Sequence, residues 1–143
     1  MALKFTATFK IPDIQKKLKD YEKRAKQNIV NRFSQIGETF VNNARVNGEY
    51  TNQSFNLVSS IAYVVLENGK VSRSNFKEIG GGAEGVLKAK KVVEKIKSEY
   101  GKGISLIVVA GMEYAAMIES RGKDVITGSS LMAKKQLKNA FKR

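Results

Sequence analysis

The sequence contains no cysteine and no histidine. Their absence excludes disulfides, thiolate nucleophiles and the usual zinc ligands, together with every catalytic triad or dyad built on either residue. Proline occurs once, at Pro12, and no apolar run approaches the length of a membrane span. The opening residues MALKFTATFK lack the continuous apolar core of a signal peptide, so a soluble intracellular protein is expected. The three glycines at Gly80–Gly82 are followed by neither Gly-Lys-Ser/Thr nor a GxGxxG register, which argues against a phosphate loop and leaves a flexible joint. No helix-turn-helix, RNA-binding sheet motif or zinc finger is readable.

Acidic residues are also scarce: 13 Asp and Glu stand against 26 Lys and Arg, a formal net charge of +13. An excess of that size attracts polyanions at long range but says nothing about the fold. It suits a solvated surface, an acidic protein partner or a nucleic acid. The carboxylates are scattered among lysines, with no pair at a spacing that suggests acid–base work. Glu119 lies beside an apolar helical face, where a surface ion pair or a rim contact is expected rather than catalysis. The chain therefore reads as non-enzymatic, with no cofactor and no metal site.

What remains is enough for one domain: 143 residues, of which 42% are apolar. Lys4–Lys10 alternates and predicts a half-buried strand, with Phe5, Ala7, Phe9 and Ile11 on one side. Pro12 and Asp13 suit the first turn of a helix. Ile14, Leu18, Tyr21, Ala25, Ile29, Phe33, Ile36, Phe40 and Ala44 then follow at steps of three and four. They predict one amphipathic helix ending near Asn47-Gly48, about 50 Å long at ~1.5 Å per residue. That exceeds the needs of a compact domain, so one end is expected to overhang and meet a neighbouring subunit.

Glu49–Asn56 reads as a loop, and Ser59–Glu67, apolar on both faces, as a covered central strand. Asn68-Gly69 signals a hairpin, because both central positions of a type I′ turn need positive φ. Lys70–Lys77 is the returning strand, polar enough for a sheet edge. Val86, Ala89, Val93, Ile96 and Tyr100 mark a second amphipathic helix, with Lys88, Lys90, Lys91, Lys95 and Lys97 on its outer face. Ile104–Ala110 predicts a strand buried on both faces. Tyr114, Met117, Ile118 and Arg121 predict the face of a short helix stopped by Gly122. Thr127-Gly128-Ser129-Ser130 reads as a turn, and Leu131–Arg143 as a terminal helix inward-facing at Leu131, Leu137, Ala140 and Phe141. Tyr21, Tyr63, Tyr100 and Tyr114 fall on apolar faces and are expected in the core. The elements sum to an α+β domain: a long N-terminal helix packed on a small, mostly antiparallel sheet, with two or three shorter helices. No carboxylate offsets Lys134, Lys135, Lys138, Lys142 and Arg143, so this last helix is the candidate charged interaction face.

Two stretches carry a family likeness. Tyr50–Leu66 (YTNQSFNLVSSIAYVVL) holds Leu57 and Ser60-Ile61 ahead of a strand; Tyr114-Ala115, Ile118-Glu119 and Gly122 follow a later strand. Together they resemble the tail-completion, or head–tail joining, proteins of long-tailed bacteriophages, also described as neck or minor structural proteins. That family carries Thr-Gly-x-Leu-x-x-Ser-Ile and Tyr-Ala-x-x-Val-Glu-x-Gly, with a long helix before them and a helix after. Here Ser54-Phe55 stands in place of Thr-Gly, two residues separate Glu119 from Gly122, and Ser130-Leu131 replaces a Pro-Phe-Leu. Residues 80–101 look like a helical insertion. The resemblance implies a homo-oligomeric ring, of six copies as the expected size, between head connector and tail tube. It implies connector and tail-tube proteins as partners, location in the virion after assembly in the host cytoplasm, and a passage through which DNA leaves. Rings of this kind close through heterologous contacts. A non-enzymatic, basic nucleic-acid-binding protein without sequence preference is the alternative.

Overall fold

The apolar run Ile104–Ala110 forms β4, and every one of its residues is buried. The structure, a computed structural model, describes residues 1–7, 16–51 and 53–141. Its elements in chain order are β1 (Ala2–Ala7), α1 (Lys16–Asn47), α2 (Asn56–Ser59), β2 (Ile61–Glu67), β3 (Lys70–Asn75), α3 (Ala83–Ile96), a 3-10 turn (Lys97–Tyr100), β4, α4 (Ala115–Ser120) and α5 (Thr127–Ala140). The four strands make one antiparallel sheet in the order β1-β4-β2-β3. It is an α+β fold with the long N-terminal helix expected, α3, α4 and α5 as shorter helices, and the single-turn α2. Among the described residues no helix is long and apolar enough to cross a membrane.

The double-sided apolar pattern of β2 and β4 has a direct cause. Ile61, Tyr63 and Val65, with Ile104, Leu106 and Val108, face α1; Ala62, Val64 and Leu66, with Ile107 and Val109, face Ala89 and Val93 of α3. Helices thus cover both faces of the two inner strands. Each large apolar side chain so buried contributes about 1.5–3 kcal/mol. The segment at 80–101 is accordingly no appendage, since α3 makes the second core.

Edge strands are thinner. Leu3 and Phe5 of β1 pack against the α1 side of the core. β1 begins earlier than Lys4, and the expected residues Phe9, Ile11, Pro12, Asp13 and Ile14 lie outside those described. β3 is mostly exposed, as its polarity requires. The β2–β3 turn has φ of 51° at Asn68 and 82° at Gly69, the two positive values a type I′ turn needs. Asn68 also takes the Gly103 N–H on its Oδ1 at 3.0 Å, tying the hairpin to the start of β4.

α1 buries Ile29, Val30, Phe33, Ile36, Phe40, Val41 and Ala44. Gly37 lies on the Tyr63 ring, where any Cβ would collide with it. Towards the N-terminal end the stripe loses its cover: Leu18 is 37% and Tyr21 68% exposed. Tyr21 is therefore no core residue, because among the described residues the core on α1 begins at Ile29. Tyr63 is core, Tyr100 is half-buried, and Tyr114 is 37% exposed.

Two further expectations are corrected at the C-terminal end. The buried face of α4 is Ala115 with half-buried Ile118, while Met117 and Arg121 point to solvent. Thr127–Ser130 is the first turn of α5 rather than a separate turn. α5 lies antiparallel to α1, with Met132 beside Asn43 and the Phe141 ring edge-on to Phe33 at 5.9 Å. Its inward residues are Ser129, Ser130, Ala133 and Leu137; Leu131 is exposed.

Candidate interaction surface

The two stretches that carry the family likeness are about fifty residues apart in sequence and adjacent in space. The Gly111 N–H donates to the Ser60 carbonyl at 3.1 Å, and Ile61 pairs with Ala110. Leu57, Ile61 and Ala115 are buried in the same core, with Ile118 packed against it. Ser60 is buried too, and its hydroxyl donates to the Leu57 carbonyl at 2.7 Å, closing α2. Gly122, with φ of 81°, stops α4. Leu57, Phe55, Tyr114 and Ile118, with Thr51, Gln53 and Ser54, line a recess of about 330 Å³ at this end of the molecule. Tyr114 and Phe55 are each partly exposed at its rim.

Phe55 is the unusual residue here. Its backbone is left-handed, φ 59° and ψ 8°, which a bulky side chain adopts only under strain. The conformation starts α2, and the ring is housed by glycines. A Cβ on Gly80 would strike the Phe55 ring, one on Gly82 would strike the Phe55 carbonyl, and one on Gly85 the Asn56 carbonyl. Gly80 and Gly82, with Gly85, thus let α3 approach α2 closely, so the flexible joint expected from sequence is a packed junction. Ser59 completes the junction, accepting the Ile79 N–H at 2.8 Å.

Glu119 has a structural task. Its Oε1 accepts the N–H groups of Val125 at 3.0 Å, Ile126 at 2.6 Å and Thr127 at 3.0 Å. These are donors at the start of α5 that would otherwise be left unpaired. Asp124 Oδ1 takes the next, from Gly128, at 2.9 Å. Burial pushes the Glu119 carboxyl up, but the hydrogen bonds from Ile126, Thr127 and Val125 outweigh it and hold the pKa below the ordinary value. The negative charge also sits at the positive end of the α5 dipole. This is neither the ion pair nor the rim contact expected from sequence.

The basic helix face lies elsewhere. Lys134, Lys135 and Lys138 are exposed on the second half of α5, and none pairs with a carboxylate among the described residues. Lys142 and Arg143 lie outside those residues. Lys134 and Lys138 flank a recess of about 360 Å³ with Phe5, Phe33, Leu137 and Phe141 in its wall. On α3 and the 3-10 turn after it the positive charge is partly spent: Lys88 pairs with Glu113 at 2.7 Å, Lys97 with Glu94 at 2.9 Å, and Lys90 stands over the Phe76 ring.

Sequence reasoning missed a polar network between α1 and the sheet. The Tyr63 hydroxyl donates to Glu38 Oε1 at 3.0 Å and lies 2.9 Å from the Ser34 hydroxyl; Asn75 donates to Glu38 Oε2 at 2.8 Å. Arg45 donates to the Ile61 carbonyl at 3.0 Å. Burial lowers the Arg45 pKa, and burial likewise raises that of Tyr63. Tyr50, half-buried beside this region and donating to the Ala44 carbonyl at 3.1 Å, has its pKa pushed up to about 12 by desolvation. No signal marked these residues, because partners on different elements share no spacing. The network joins α1 to β2 and β3, and among the described residues no three acidic side chains converge to hold a metal ion. Comparison with protein-family models, curated proteins and solved structures finds no match for this chain.

Proposed function

We propose that this chain is a non-enzymatic structural component of a tailed bacteriophage, a tail-completion or head–tail joining protein that forms a ring between head connector and tail tube. The observation that carries the reading is the backbone at Phe55. The motif that this stretch resembles has glycine at that position, and here φ is 59°, the region glycine favours. Phe55 thus keeps a backbone conformation that would suit the glycine of that motif. The meeting of the two motif stretches around Leu57, Ala115 and Ile118 supports it as well. So does the N-terminal end of α1, where Leu18 is 37% and Tyr21 68% exposed.

The genes flanking this one test the reading. Neighbours encoding portal, capsid and tail-tube proteins are expected; a setting of metabolic or regulatory genes would overturn it. A second reading, non-specific nucleic-acid binding, is favoured by one observation, the unpaired lysines of α5 described above.

A further inference from the structure

α1 runs antiparallel to β2. Arg45 meets the Ile61 carbonyl at the start of that strand, Ser34 and Glu38 meet Tyr63, and Glu67 at its end shares a recess with Lys19, Glu22, Lys23, Lys26 and Gln27. The first turns of α1 therefore lie at the Glu67 end of the sheet. There Leu18 and Tyr21, three residues apart and so on one face, are 37% and 68% exposed. The recess beneath Phe55 and Tyr114 lies at the opposite end of the same strand, where Ile61 pairs with Ala110. The molecule thus presents an exposed leucine–tyrosine pair at one end and an apolar recess at the other.

Their charges are complementary. The segments at the recess, 49–55 and 113–124, hold Glu49, Glu113, Glu119 and Asp124 against Arg121 and Lys123, and against Lys88, the partner of Glu113. They are net acidic in a chain of charge +13. Residues 18–26 hold Lys19, Lys23, Arg24 and Lys26 against Asp20 and Glu22, a net basic segment. A basic segment meets repulsion over most of a second copy and attraction at this end.

We propose that Leu18 and Tyr21 of one copy dock into the recess formed by Phe55, Leu57, Tyr114 and Ile118 of the next. The contact joins unlike surfaces at opposite ends, so it is heterologous and can repeat from copy to copy until a ring closes. A buried tyrosine set among apolar and aromatic side chains is the usual anchor of such an interface. The strained backbone of Phe55 then has a role, since it holds an aromatic ring at the rim of the docking surface. This inference rests on the ring reading and specifies its contact.

The absence of cysteine makes a cross-linking test clean. Asp20→Cys and Ser54→Cys, both at exposed positions beside the docking residues, are combined in one chain and treated with a bifunctional maleimide. The double variant should give a ladder of covalent oligomers; each single variant should stay monomeric on a denaturing gel. Tyr21→Ala should weaken association about tenfold or more. A double variant that assembles like the wild type but yields no ladder places the contact elsewhere and overturns the docking, while the ring reading stands. Cross-linked products that stop at the dimer overturn the head-to-tail arrangement. A wild-type chain that stays monomeric at high concentration overturns both.

Discussion

Glu119 shows how a residue with the look of chemistry can serve the backbone. Replacing it with Ala should cost about 0.5–2 kcal/mol, the range for losing a helix cap, and Glu119→Gln, which keeps an acceptor, should cost less. The pH dependence has a definite sign. A carboxyl whose pKa falls on folding stabilises the fold fully above its unfolded value, and that contribution vanishes as pH drops through the folded value. The advantage of the wild type over Glu119→Gln should thus be complete at neutral pH and close below the ordinary value of 4.5. Urea unfolding at several pH values checks this; a gap that persists at pH 2 would show that the charge contributes nothing. Phe55 permits a sharper comparison. Glycine relieves a left-handed strain of roughly 1–2 kcal/mol that alanine retains. Phe55→Gly should therefore be about 1 kcal/mol more stable than Phe55→Ala, although both lose the ring. Leu57→Ala, at a fully packed site, should cost about 2–5 kcal/mol. Equal stability of the two Phe55 variants would mean that the conformation is not held against strain.

At the scale of elements, the strands were readable because each carries its own surroundings in its pattern. The unbroken apolar runs of β2 and β4 reflect a helix on each face, and the polar β3 its place at the edge. Helix ends were less readable. Thr127-Gly128-Ser129-Ser130 has the composition of a turn, yet it is helical because Glu119 and Asp124, from outside the helix, accept its first N–H groups. For α4, Ala115 decided the buried face, and a small residue carries little weight in a periodicity. The Phe55–Gly80 junction had no signal at all, since the need for glycine arises from a ring twenty-five residues away. The role of α5 can be separated from its packing. Of Lys134, Lys135 and Lys138, only the last lies in the final turn, at the negative end of the dipole, and favours the helix. If they also meet a polyanion, changing all three to Gln should lower DNA affinity and flatten its dependence on salt by close to three counterions. Unchanged affinity and slope would leave them as a solvated face.

For the whole molecule, the sequence carried the fold class but not the layering. That α1 and α5 lie on one side of the sheet and α3 on the other follows from which residues of β2 and β4 share a face. Only pairing in space could show that Leu57 and Ile118 belong to one surface. The recess they share and the N-terminal end of α1 place two apolar features at opposite ends of one chain. The proposed ring would join the two. The mass of the purified chain in solution, measured by light scattering across a range of concentrations, tests this most directly. A single species at an integral multiple of the chain mass, six as the expected number, that Tyr21→Ala shifts towards monomer is the result the account requires. A strict monomer at every concentration, with no binding to any virion protein, would contradict it.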